Sequence, residues 1–284
     1  MSEKAPGIYK PLAVIVAIIA IALAIWGSVT FAAVSGLIWE KGPAVWSWGA
    51  AFLSLGFGFW RVIGGIFWIV GTALFIMELA GFTIRNGRIV RQVIKWDSID
   101  IAIAALVAAI YGGGLVATAG LIVIPGFTWI RPANMLSPVF GILFGIPGCV
   151  GLAFGNLIAD ALGGFLGFGS IGGFIGNFIL GYIPYKLMKD HSLRSSKSVF
   201  EFYLWGVLVG SIWCSLYISW WLDLAQWIVG LPPLFIWGWF APFVMVNNAI
   251  VTAIVGPALA YVLYPPVKRW GLHWSDRITF IEKS

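Results

Sequence analysis

Long apolar runs separated by short polar stretches organise the chain. With a window of ~19 residues they fall at 12–34, 60–80, 99–121, 134–145, 149–163, 171–187, 199–222 and 235–263. A helix of about 20 apolar residues crosses a hydrocarbon layer of about 30 Å. The pattern therefore predicts an all-α, polytopic transmembrane helical bundle of about eight spans. The fourth and fifth runs fall short of that length and are joined by the tight turn Gly145-Ile146-Pro147-Gly148. The stretch VWSWGAAFLSLGFGF, ahead of the second run, is also apolar, but Arg61 separates it from the body of that run. It reads as an interfacial segment or as the start of one long tilted helix. The first run comes after Lys4 and Lys10 and exceeds the ~7–15 residues of a signal-peptide core. Phe31-Ala32-Ala33 is a poor cleavage site, so this run is read as a retained span.

Composition decides between buried core and lipid as the partner of these runs. The 284 residues are 61% hydrophobic and 10% charged, too little polar surface to coat a water-soluble globule. The 17 Trp and 21 Phe suit aromatic belts at the two interfaces, and some suit a ligand wall. Cys149 and Cys214 lie inside apolar segments at unrelated spacing and read as packing residues.

Charge sets the orientation. All but Lys41, Arg61 and Arg131 of the 17 basic residues fall in alternate segments: before the first span, between the second and third, between the sixth and seventh, and after the eighth. The positive-inside rule then places both termini in the cytoplasm, with the 145–148 turn cytoplasmic and the 163–170 loop external. The net charge of +6 needs no nucleic acid to explain it.

Polar residues inside the runs are the candidate chemistry. Asn156 and Asp160 are one helical turn apart, close to the outer end of the fifth span, and Asn177 lies about two turns into the sixth. They read as the wall of an outward-facing cavity. A packing reading stands beside it: Gly151 and Gly155, then Gly172 and Gly176, allow close helix approach with Asn side chains bonding across, and Asp160 sits at headgroup level. Asn247 and Asn248 point about 100° apart, so at least one faces the bundle interior. Trp220, Trp221, Trp227, Trp237 and Trp239 bracket the outer interface as a belt, from which one or two could stack on a flat heterocycle.

Other motifs exclude function classes. Gly167 to Gly172 matches G-x-G-x-x-G, but no strand precedes it and no βαβ unit surrounds it. His191 and His273 are the only histidines, and no Cys/His/carboxylate cluster has metal-ligand spacing, so neither a metal nor a cofactor is expected. No P-loop occurs, so any ATP is hydrolysed by another polypeptide. Asp160 and Asp223 are external carboxylates without an evident acid/base partner, which argues against an enzyme.

In the third span, IDIAIAALVAAIYGGG, the overlapping pairs Ala104/Ala108 and Ala105/Ala109 offer a flat face to a helix of this protein or of a partner. These alanines, RPAN, the short spans of FGIPGCVGLAFGNLIADALGG and the basic loop after the next span resemble the substrate-binding S components of energy-coupling factor (ECF) vitamin transporters. The resemblance covers residues 96–269. It implies a six-helix core that captures a small nutrient from outside, in the cell membrane of a prokaryote. By the same resemblance the core docks through Ala104, Ala105, Ala108 and Ala109 on a membrane coupling subunit driven by two ATPases. Residues 1–95, with two extra spans, are not typical of that family, and residues 270–284 form a cytoplasmic tail. The histidine-bearing N-terminus of its nickel and cobalt members is missing, which argues against a metal cargo.

The expected site combines Trp129, Arg131 and Asn134 with Asn156, Asp160 and Asn177, then Trp220, Trp221, Asp223 and Trp227, then Asn247 and Asn248. Two carboxylates against one arginine give it a slightly negative character. That suits a neutral or cationic heterocyclic vitamin or modified base over an anionic cargo such as folate. The alternative is a non-transporting membrane subunit or scaffold, in which the same polar residues are interhelical glue.

Overall fold

The computed structural model describes residues 8–85, 87–118, 122–124, 128–129 and 131–281, with the backbone alone at 122–124 and 128–129. The expected helical bundle is present. Its long helices are α1 (Tyr9–Lys41), α3 (Gly56–Leu79), α4 (Ser98–Ala117), α7 (Phe168–Leu187), α8 (Ser196–Leu224) and α9 (Ala241–Arg269). Shorter helices are α2 (Ser47–Ser54), α5 (Leu136–Phe144) and α6 (Ile146–Leu162). The apolar stretch before Arg61 is not the start of one continuous helix. It breaks at Gly56, whose φ of +78° favours glycine, into α2 and the first turn of α3.

The two half-length spans arise from local chemistry. Gly145 (φ +61°) ends α5, and Pro147 opens α6 where a missing N–H is harmless. The nine residues of α5 rise only about 14 Å, so this helix penetrates part of a bilayer. A Cβ on Gly145 would lie 2.9 Å from Trp274 Cβ, so the reversal is also fixed by packing.

Glycine faces let the central helices touch backbone to backbone. A Cβ on Gly151 would stand 2.5 Å from the Ala104 carbonyl oxygen, and one on Gly155 2.8 Å from that of Ala108, which sets the α4–α6 crossing. Gly141 brings α5 closer still to the Gly181 carbonyl of α7. On α7, Gly172 and Gly176 receive Trp221 and Ile218 of α8. A π-helical stretch, Phe202–Val209, interrupts α8.

The N-terminal helices pack on the rest of the bundle, α1 along α9 and α3 along α8. Two ion pairs anchor α3, one half-exposed and one buried. At one end Arg61 Nε donates to Asp223 Oδ2 at 2.6 Å, and Trp237 Nε1 donates to the same oxygen at 3.1 Å. At the other end Glu78 lies 3.1 Å from Lys186 Nζ and accepts from Thr83 Oγ1 (2.7 Å), Gln92 Nε2 (2.5 Å) and the Tyr182 hydroxyl (2.7 Å). A lone buried carboxylate costs several kcal/mol, so this number of partners is what lets Glu78 stay there.

One element departs from the all-helical expectation. Residues read as basic loops and tail form an antiparallel three-stranded sheet of β1 (Phe82–Arg85), β2 (Arg88–Ile94) and β5 (Ile278–Ile281), in the order β1-β2-β5. Arg277 ties the tail to the start of α4, donating from Nε to Asp100 and from Nη2 to Asp97, each at 2.5 Å. A further two-stranded hairpin joins β3 (Ile122–Ile124) to β4 (Thr128–Trp129).

Candidate functional site

At the end of the bundle away from the three-stranded sheet, a cavity of about 310 Å3 lies between the turn at residues 131–134, helices α6–α9 and the loop before α7. Seven of the expected residues line it: Arg131, Asn134, Asn156, Asp160, Asn177, Asn247 and Asn248. They come from segments far apart in sequence, brought together by the glycine-mediated crossings. A Cβ on Gly173 would stand 2.8 Å from Asn156 Nδ2, so this glycine leaves room for the amide between α6 and α7.

One polar group centres on Arg131, which precedes the 3-10 turn Pro132–Met135. Its Nη1 donates to Asn156 Oδ1 at 2.6 Å and its Nη2 to Asp160 Oδ1 at 3.2 Å, while Asn156 Nδ2 donates to Asp160 Oδ2 at 3.1 Å. The Arg131 backbone N–H donates to Asn247 Oδ1 at 3.2 Å. Asp160 is thus neither solvated at headgroup level nor without a partner: it is 6% exposed and paired. A second group surrounds the fully buried Tyr111 of α4. Its hydroxyl lies 2.8 Å from the Asn134 side-chain amide and 2.5 Å from that of Asn177, and the Asn134 and Asn248 amides are 2.5 Å apart. Phe165, Phe168, Ile218, Leu222, Phe240 and Val244 supply the apolar wall.

The structure does not bring Trp220, Trp221, Asp223 or Trp227 to the cavity. Asp223 is turned to Arg61 and Trp237 instead. Trp220 packs on Trp68 and on Gly65 of α3, and Trp221 donates to the Phe168 carbonyl and stacks on its ring at 4.9 Å. The helical period of α8 explains this, because Ile218 and Leu222 take the cavity-facing stripe. Trp227 is 81% exposed, and the side chain of Trp129 lies outside the described residues. With Asp223 turned away, the charged residues lining the cavity among the described residues are Arg131 and Asp160, which removes the negative excess that favoured a cationic cargo. The belt reading also changes, since Trp237 and Trp239 are fully buried, the former against Trp60 and the latter against Phe243.

The four alanines divide between two faces. Ala108 is buried and Ala104 half-buried where α6 crosses, while Ala105 and Ala109 are exposed on the opposite face with Ala102 and Gly113. Ala108 therefore packs inside the protein and Ala104 is partly covered by α6, which leaves Ala105 and Ala109 as the open face. Two residues the sequence reading missed are Tyr111 and Glu78. A tyrosine hydroxyl in an otherwise Ala-, Gly- and Ile-rich span was the signal for the first, because a buried phenol needs a partner.

A family model described as QueT transporter matches residues 101–265, more than half of the chain. The chain belongs to the QueT transporter family. QueT transporters are an S-component family of ECF transporters. The chain is accordingly a multi-pass membrane protein of a transporter family. The QueT match takes in every residue of both polar groups and leaves out α1–α3 and all three strands of the larger sheet. No curated protein and no solved structure matches the chain.

Proposed function

We propose that this QueT-family protein captures a small uncharged nitrogen heterocycle, a vitamin or modified base, from outside the cell. The observation that carries this reading is the charge-balanced cavity: Arg131 is spent on Asp160 and Asn156, amides supply the remaining polarity, and aromatic side chains supply a flat apolar wall. A volume of about 310 Å3 is at the small end of ligand pockets and suits a fused bicyclic ring. Residues 96–269 would form the capture core. Release inward would require docking on an ECF coupling subunit driven by two ATPases, through the Ala105/Ala109 face of α4. The test is thermal-shift screening of the purified protein against neutral, cationic and dianionic heterocycles. Neutral compounds should stabilise it. Asp160→Asn and Asn156→Ala should each weaken binding by about 10- to 100-fold, as expected for losing a buried hydrogen bond to a charged group. Tight binding of a dianionic compound, indifferent to both substitutions, would overturn the assignment of site and cargo class.

A further inference from the structure

We propose that Asn248 turns its carbonyl oxygen to the cavity and thereby selects a cargo that carries an N–H at that point. The inference rests on reading the cavity as a heterocycle site, but its first step concerns the empty protein alone. The two atoms of a side-chain amide differ in hydrogen-bonding role and scarcely in shape, so the network must assign them. The starting point is Asn177. One end of its amide lies 2.8 Å from the Gly173 carbonyl oxygen, which can only accept, so that end is Nδ2. The end 2.5 Å from the Tyr111 hydroxyl is then Oδ1.

A phenol has one proton. Asn177 Oδ1 takes it, because otherwise two oxygens would meet lone pair to lone pair. Towards Asn134, 2.8 Å away, the Tyr111 oxygen can therefore only accept, and the Asn134 atom facing it is nitrogen. The other end of the Asn134 amide, 2.5 Å from Asn248, is then oxygen, and Asn248 must meet it with nitrogen. Taken the other way, with Asn134 Nδ2 toward Asn248 Oδ1, the chain asks Tyr111 to give one proton to two oxygens. Turning both amides over removes the conflict without moving a heavy atom.

The last atom of this chain is the second amide atom of Asn248, which is buried and has no partner stronger than the Cys214 thiol. The residue is 2% exposed and lines the cavity. By the proton count this atom is a carbonyl oxygen. Cys214 lies on the same wall, and a thiol is a weak partner in either direction, so it does not fix the amide. A buried acceptor with only a thiol beside it is relieved by a ligand N–H, whereas a ring nitrogen or carbonyl placed there sets two acceptors face to face.

Neutron diffraction from crystals of the full chain exchanged into D2O tests the first step. Two deuterons on the Asn248 atom facing Asn134, and none on its other atom, are expected; the reverse overturns the inference. The second step is read from the affinities of guanine, 1-methylguanine, 9-methylguanine and 3-deazaguanine for the wild type and Asn248→Ala. At least one N-methyl analogue, having lost a donor, should bind the wild type roughly 100-fold more weakly than guanine, with the penalty reduced to a few-fold in Asn248→Ala. A penalty relieved by Asn248→Ala only for 3-deazaguanine, which has lost an acceptor, overturns the selection. Absence of binding by every purine, with the deuterons where expected, counts against the heterocycle reading and leaves the polarity of Asn248 standing. Reversed deuterons with normal purine binding sink the inference alone.

Discussion

Glu78 and Asp160 are carboxylates buried in an apolar bundle, and each is held by a cation from another segment. Neutralising one partner of such a pair leaves the other charge bare. Glu78→Gln should therefore lower stability by about 3–5 kcal/mol in detergent unfolding, and adding Lys186→Met should restore much of the loss. Equal stability of Glu78→Gln and wild type would show that Lys186 is hydrated. His191 behaves differently, lying outside the spans with its Nδ1 accepting from Trp274 Nε1 at 2.9 Å. Burial pushes its imidazole down from the ordinary 6.5 to about 4. The folded state thus disfavours the charged form, so this contribution is complete above about 6.5 and declines as pH falls towards about 4. Unfolding measured across that window should show a shallower slope in His191→Gln; identical slopes would acquit the residue. What the sequence showed at this scale was polarity against an apolar background, which is why Asn156, Asp160, Asn177, Asn247 and Asn248 stood out. Glu78 was hidden because a charge at the end of an apolar run reads as the boundary of the span, and its partners lie up to 108 positions away.

Helix α4 shows how one pattern supports two outcomes. Small residues four apart occur on two adjacent stripes, and nothing in the sequence says which one meets α6. Backbone proximity at Gly151 and Gly155 gives Ala104 and Ala108 to the interior. Ala105 and Ala109 remain as the surface on which a coupling subunit would dock. Ala109→Trp should then abolish complex formation and uptake while the isolated protein still binds its cargo. Ala108→Trp should instead destabilise the isolated protein by about 1–3 kcal/mol or more through overpacking. Loss of folding in Ala109→Trp would remove that stripe from consideration. Other elements were legible but misjudged. The Asn86-Gly87 dipeptide between Ile84 and Ile89 is a hairpin signal, masked by the basic residues that set the orientation. The third strand, Ile278–Ile281, could not be found locally, since its partner β2 lies about two thirds of the chain away. The paired short helices were legible because Gly145 and Pro147 act within a few residues.

On the scale of the molecule, the two N-terminal spans are fastened to the rest at both ends of α3, by Arg61 to Asp223 and by Glu78 to Lys186. At the arginine end they cover two fully buried indoles, α3 packing on Trp237 through Trp60 and Gly64 and α1 on Trp239 through Phe31 and Trp39. The clamp also fixes the direction of α3, because the arginine end lies beside the cavity-bearing ends of α8 and α9 and the glutamate end beside the sheet. The basic segments 85–95, 186–197 and 268–277 gather at the sheet end, and by the positive-inside rule we propose that the sheet faces inward and the cavity outward. Single cysteines at Lys41 and Trp227, both exposed near the cavity end, should react with an impermeant thiol reagent added to intact cells. Cysteines at Arg88, Ser196 and Trp270, at the sheet end, should react only after permeabilisation. Cys149 and Cys214 are buried and give a low background. Labelling of Ser196→Cys in intact cells would reverse the protein in the membrane, turn the cavity to the cytoplasm, and with it convert a capture site into one that can only be loaded from inside.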